Sequence, residues 1–278
     1  MSYLRKSSLL LISAWGLAIL AVFAVGLNRL VITRLDACRR IEARIVGRQL
    51  AYAAFLYAKE EILAQPDAYM TLSGLAQPRK RALGDAAFSF TVSDEAAKIN
   101  INSASADVIA RLLALDQDNL LVQNIVATRP YPAIEALLGL KGMTPEKLNA
   151  IQDMARVADT QDKAVNINTA AKEVLLALGL TPKLVEALID YRNGGVVDET
   201  GVKDRTFGSI HEVISTLQDN KYRLDIKNDI KSLTDVEGLF RFSSDCFSLK
   251  ITTLISGRPG TTYDIIISKG RIVSWEEL

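Results

Sequence analysis

The longest apolar run comes first. Ser7 to Leu27 holds no charged side chain and no proline, only Ser, Trp and two Gly among aliphatics. At 1.5 Å per residue such a run spans about 30 Å as a helix, the thickness of a bilayer's hydrocarbon core. Beyond Arg29 the pattern stays helical but becomes two-faced. Ile41, Ile45, Tyr52, Phe55, Ile62 and Leu63 recur at helical spacing, and Arg34, Arg39, Arg40, Arg44 and Arg48 fall largely between them. Pro66, the first proline, marks the end of the pattern. The expectation is one helix over residues 1–65, part membrane segment and part spine.

Residues 66–97 read as a connector and a first strand. Pro66, Gly74, Pro78 and Gly84 punctuate the connector, and the basic triplet Arg79-Lys80-Arg81 reads as a solvated loop. Phe88, Phe90 and Val92 then alternate with Ser89 and Thr91, the period of a half-buried strand. From here the chain repeats itself. Asn100-Ile101-Asn102-Ser103 returns as Asn166-Ile167-Asn168-Thr169, and at the same offset Val108 matches Val174 and Leu112 matches Leu178. After a small gap Arg129 matches Arg192, and Tyr131-x-x-Ile134 matches Phe207-x-x-Ile210. Asn, Ser and Thr beside an apolar periodic run are N-cap residues. Each unit therefore predicts an extended lead-in, a capped helix, a second helix ending at Arg and a third after an aromatic. The two units, about 98–156 and 165–220, would pack as one all-α domain over 98–231.

Residues 232–278 return to strands. Leu239–Phe242, Cys246–Ile255, Tyr263–Ile267 and Ile272–Trp275 carry the pattern, Gly257, Pro259 and Gly260 punctuate one connection, and Lys269-Gly270 suits a two-residue hairpin turn. The early strand would join this sheet, making the helical domain an insertion. The expected class is α+β: a long membrane and spine helix packed on a small antiparallel sheet, with a duplicated all-α domain inserted.

Composition narrows the chemistry. The net charge is +1, so no global field favours nucleic acid or anionic lipid. Two cysteines, Cys38 and Cys246, leave room for one disulfide at most, and with one histidine, His211, no zinc set assembles. His211 sits within a predicted helix and reads as a surface residue. No phosphate-binding glycine motif occurs, and the expectation is a protein that is not an enzyme and holds no cofactor. Asp198, Glu199 and Asp204 around Gly201 could bind calcium, but they miss the alternation of an EF-hand loop, and a solvated loop is the expectation. Paired helices can bind a phosphate backbone through a glycine-rich turn, which makes a membrane-anchored DNA-binding protein an alternative reading. The turns Gly142-Met143-Thr144 and Gly179-Leu180-Thr181 each keep only one glycine, however. Residues 98–220 hold twelve Lys and Arg against sixteen Asp and Glu, so no nucleic-acid partner is expected.

The start of the chain has two other readings. Arg5-Lys6, with Ala24 and Gly26 at cleavage-like spacing, fits a signal peptide, although the apolar run exceeds the usual length. The five arginines that follow the run would, by the positive-inside rule alone, leave the C-terminal bulk in the cytoplasm, as in an anchored adaptor.

The membrane helix running into a spine, the segments DEAAKININSA, VNINTAAKEVL and FGSIHEVI, and the closing IVSWEEL together resemble the K-type minor pseudopilins of the type II (general) secretion system. The resemblance covers nearly the whole chain. It implies a pilin-like core with a two-part helical domain inserted. It also implies a non-enzymatic place at the tip of a periplasmic pseudopilus beside the I and J types, and anchorage in the inner membrane with its secretion platform. Prepilin peptidase would cut at Ser7-Ser8, where serine stands in the position that glycine usually holds. Counted from Ser8 the fifth residue is Ile12, and the K type is unusual in lacking a glutamate there. Ile12, Ile45, Tyr52 and Phe55 are the residues this resemblance assigns to packing against partner spines.

Overall fold

The computed structural model describes residues 2–64, 71–159, 161–194, 205–218, 222, 224–255 and 257–278. Helix α1 runs unbroken from Ser2 to Ala64. An 18-residue window within it has a mean hydropathy of 2.0 and is wholly unburied, so the helix is long and apolar enough to cross a membrane. Burial begins at Val46 and Leu50. From there Leu50, Ala51, Ala54, Phe55 and Ala58 turn inward at helical spacing. Gly47 and the three alanines let the backbone of α1 lie close to the sheet. A Cβ added at Gly47 would stand 3.1 Å from the Tyr263 hydroxyl.

A short helix α2, Leu72–Ala76, precedes the sheet. Its five strands are β1 (Arg79–Leu83), β2 (Ala86–Asp94), β7 (Cys246–Ile255), β8 (Arg258–Ser268) and β9 (Arg271–Glu277), in the spatial order β1-β2-β7-β8-β9 and all antiparallel. Phe88, Phe90, Val92, Leu249, Ile251, Tyr263, Ile265 and Ile267 point from the sheet onto α1. Each such side chain, fully buried, stabilises the fold by about 1.5–3 kcal/mol.

Two expectations change here. The basic triplet is not a loop but edge strand β1. Its backbone satisfies the free edge of β2, and long charged side chains suit an edge. Arg79 pairs with Glu61 at 2.9 Å, while the Arg81 guanidinium lies 4.8 Å over the Tyr57 ring and donates to its hydroxyl. Pro259 and Gly260 do not interrupt the chain either, and both belong to β8. Strand β9 extends only to the partner of Tyr263, so the outer side of 258–262 lies beyond its ladder, where a residue without an N–H is tolerated. The Lys269-Gly270 turn holds φ of +50° and +71°, the geometry of a two-residue primed hairpin turn.

Between β2 and β7 stands the helical domain. Its first unit runs β3 (Ile99–Asn100), α3 (Ala106–Leu112), α4 (Leu120–Ala127), a 3-10 turn (Ile134–Gly139), α5 (Pro145–Ile151) and β4 (Ala155–Arg156). The second runs β5 (Val165–Asn166), α6 (Lys172–Ala177), α7 (Pro182–Arg192), α8 (Ile210–Leu217), a π turn (Ile226–Ile230), α9 (Lys231–Asp235) and β6 (Phe240–Arg241). Each unit is closed by a parallel pairing of its first and last strands, β3 with β4 and β5 with β6. Residues 240–241 therefore close the second helical unit rather than joining the five-stranded sheet, and that unit continues past the 220 expected. The third helix also differs between units, a 3-10 turn in the first and α8 in the second. One core joins the units, with α3 against α6 and Arg111 donating its Nε to the Ala177 carbonyl at 2.7 Å.

Candidate assembly surface

The face of α1 opposite its buried stripe is apolar yet uncovered. Ile41, Ile45, Tyr52 and Leu56 are each 44–61% exposed, and Ile272 of β9 is exposed beside Ile45 and Tyr52. Ile45, Arg48, Gln49, Tyr52, Ile272 and Trp275 line a shallow groove along this face. The Arg44 guanidinium bridges helix and sheet, its Nη2 at 2.9 Å from Glu277, and this hydrogen bond and charge raise its pKa. Of the predicted contact residues, Ile45 and Tyr52 lie on this face. Phe55, 5% exposed, does not; it fills the chain's own core beneath the sheet. Ser7, Ser8 and Ile12 lie within the first turns of α1. Leu56 is the exposed residue that the periodicity reading missed; it lies one turn beyond Tyr52, and that spacing was the signal.

The repeated Asn residues are not N-caps. Ser105 caps α3, while α6 begins after Ala171 with no side-chain cap. The four asparagines are buried clamps. Asn102 donates to the Tyr131 and Ala158 carbonyls and accepts from the Tyr131 N–H at 2.8 Å. Asn168 repeats this on the Phe207 and Phe242 carbonyls and the Phe207 N–H. Asn100 donates to the Asp159 and Asp162 carbonyls. A buried amide carries two N–H donors and a carbonyl acceptor on one rigid plane, so it can satisfy both the carbonyls and the N–H of a returning chain. The repeated Arg does related work. Arg192 donates to the Ile167 and Ala170 carbonyls, and burial lowers its pKa to about 10.

Asn166 points instead at Asp94, a carboxylate at the end of β2 that sequence reasoning did not single out. Asp94 is 5% exposed and accepts from Asn166, Thr169, Ser244 and the Ala96 N–H at 2.5–2.8 Å. It thus ties the sheet to the second helical unit. The signal was available, because Asp94 continues the inward alternation of Phe88, Phe90 and Val92.

The remaining candidates are dispersed. His211 is exposed on α8. Cys38 is exposed on α1 and Cys246 is half-buried at the start of β7, and both are free thiols. Asp198, Glu199 and Asp204 lie outside the described residues, and no metal-ligating cluster occurs among the described ones. The helical turns place Gly142 and Gly179 at φ +96° and +103°, which a glycine adopts freely. At the second turn Thr181 caps α7 and also donates its hydroxyl to the buried Asp229 at 2.6 Å. A carboxylate there repels the phosphate that a DNA-binding hairpin would hold.

A membrane-length helix that continues as the spine of an antiparallel sheet, with an all-α domain inserted in that sheet, is a pilin-like α+β protein. Among solved structures, the fold is similar to a chain of the GspK–GspI–GspJ complex of the type 2 secretion system of enterotoxigenic Escherichia coli. The likeness covers 83% of this chain and 98% of that one, with a TM-score of 0.53 and 12% identity. No family model and no curated protein matches the sequence.

Proposed function

We propose that this chain is a K-type minor pseudopilin: a non-enzymatic subunit of the type II secretion pseudopilus, anchored in the inner membrane by the first half of α1 with its bulk in the periplasm. The observation that supports this most is the likeness of the fold, over 83% of this chain, to a chain of the GspK–GspI–GspJ complex. The uncovered apolar face of α1 then serves as the seat for the spines of I-type and J-type minor pseudopilins. The helical domain has its own core and stands between β2 and β7. Its bulk suits the tip of a fibre better than a position within it. Assembly on the inner-membrane secretion platform, and processing at Ser7-Ser8, belong to the same reading.

Co-expression of the full chain with I- and J-type minor pseudopilins, followed by affinity purification from the membrane fraction, tests the assignment. All three are expected in one complex, and recovery of this chain alone under conditions that keep the other two paired would count against it. A phosphatase reporter fused after Leu278 tests the orientation and is expected to be active only when exported.

A further inference from the structure

A cavity of about 320 Å³ opens in the seam between the two helical units. Val108 of the first unit and Val165, Leu178 and Leu239 of the second give it apolar walls, and its charged lining residues are Arg129 and Lys163. Among the described residues no carboxylate lines it, although the domain as a whole is acidic. Lys163 is exposed and has no ion pair among the described residues.

The repeat supplies an internal comparison. Arg192 is buried and its Nη1 holds two carbonyls, those of Ile167 and Ala170. Arg129, its counterpart, reaches only the Ala104 carbonyl, through Nη2 at 2.7 Å. Its Nη1 makes no hydrogen bond among the described residues; its Nε is buried without a partner, as is that of Arg192, so the difference between the two lies in the terminal nitrogens. The clamp that Arg192 completes is half-made in the first unit, on the side where the cavity opens. Burial lowers the pKa of Arg129, opposed only by Tyr131, and this half-buried guanidinium has no counter-ion among the described residues. A guanidinium fork beside a lysine recognises a carboxylate, and the volume sits at the small end of ligand pockets, about 300–1,000 Å³.

We propose that this seam binds a small aliphatic carboxylate, its charge held by Arg129 and Lys163 and its hydrocarbon part laid against Val108, Val165, Leu178 and Leu239. The same chemistry is offered by a free short-chain carboxylate and by the C-terminal residue of a peptide ending in an aliphatic side chain.

The test is calorimetric titration of the full chain in phospholipid discs, with empty discs as the blank. The probes are hexanoate, N-acetyl-leucine, the neutral hexan-1-ol and inorganic phosphate. Saturable binding of at least one carboxylate is expected, of about millimolar strength, with no binding of hexan-1-ol. Tighter binding of N-acetyl-leucine identifies a peptide terminus as the source, and tighter binding of hexanoate a free carboxylate. Arg129→Gln and Lys163→Gln are each expected to weaken binding about tenfold, the worth of one charge-assisted hydrogen bond, and Lys141→Gln to leave it unchanged. Lys163 is exposed, so its substitution decides the matter even if Arg129→Gln fails to fold. Absence of saturable binding by both carboxylates overturns the proposal. So does equal binding of hexan-1-ol, phosphate binding as tight as either carboxylate, or an unaltered affinity in Lys163→Gln.

Discussion

Buried polar side chains carry more of this fold's specificity than their number suggests. Asp94, at the end of β2, gathers four donors, two from the second helical unit and two from the turns next to β2 and β7, and removing its carboxylate strands all of them. Asp94→Ala is expected to destabilise the protein by about 3–5 kcal/mol, read as a lowered midpoint in chemical denaturation. Asp94→Asn should recover only part of that loss, since its amide turns an N–H towards groups that themselves donate. A stability unchanged by Asp94→Ala would remove the carboxylate from its place as the tie between sheet and helical domain. The Cys246 thiol makes a second case. Burial pushes its pKa up to about 11, above its ordinary value of about 9. The folded state therefore holds a proton that the unfolded chain has already lost, and the stability this gives is present below pH 9 and declines as pH rises towards 11. In Cys246→Ala the alkaline loss of thermal stability should be shallower than in the parent. At neutral pH a maleimide should label exposed Cys38 quickly and Cys246 only after unfolding.

At the scale of elements, β8 illustrates how tightly one hairpin constrains its neighbours. A Cβ added at Gly260 would stand 2.5 Å from the Thr253 hydroxyl, which is fully buried at the bulge in β7 and donates to the Thr261 carbonyl. Gly260→Ala should therefore destabilise by about 1–3 kcal/mol, the usual range for overpacking, while Gly84→Ala meets no neighbour and bears only the strain of its φ of +59°. A denaturation series on the two variants separates the effects. Elements whose pattern is local were legible in the sequence: α1 from its apolar run, β2 from alternation, the β8–β9 hairpin from Lys269-Gly270. The repeat was legible too, down to the matching of Arg129 with Arg192. What escaped was set by distant partners. Arg79-Lys80-Arg81 has the composition of a loop and becomes a strand because β2 offers an open edge. Phe240-Arg241 has the composition of a sheet strand and pairs instead with Val165-Asn166. The repeated asparagines look like caps because their local sequence allows it; only chain brought back from far away, Asp159 and Asp162 to Asn100 and Asp94 to Asn166, shows what they hold.

For the whole molecule, the question is which face of α1 belongs to this chain and which to its neighbours. A single helix cannot bury its full circumference against one sheet, and here the division is sharp. Leu50, Ala51, Ala54, Phe55 and Ala58 are covered, whereas Ile41, Ile45, Tyr52 and Leu56 are left open beside the exposed end of β9. Apolar side chains kept on the open face contribute nothing to the isolated head, so charges placed there should leave its stability almost unchanged. Ile45→Asp and Tyr52→Asp are therefore expected to melt within a few degrees of the parent and, on the function proposed above, to be lost from a complex with I- and J-type minor pseudopilins and to abolish secretion. Phe55→Asp puts a carboxylate into the core beneath Phe90 and Ile251 and should fail to fold, so its loss of assembly carries no information about partners. Arg44→Ala lies between these limits, because its largely solvent-exposed pair with Glu277 ties α1 to β9 weakly and its removal is expected to change the melting temperature little. Paired melting curves and co-purification on the same four variants separate fold from assembly. If Ile45→Asp and Tyr52→Asp assemble and secrete as well as the parent, the open face of α1 is not where the neighbouring spines sit, and the contact must be sought on the helical domain.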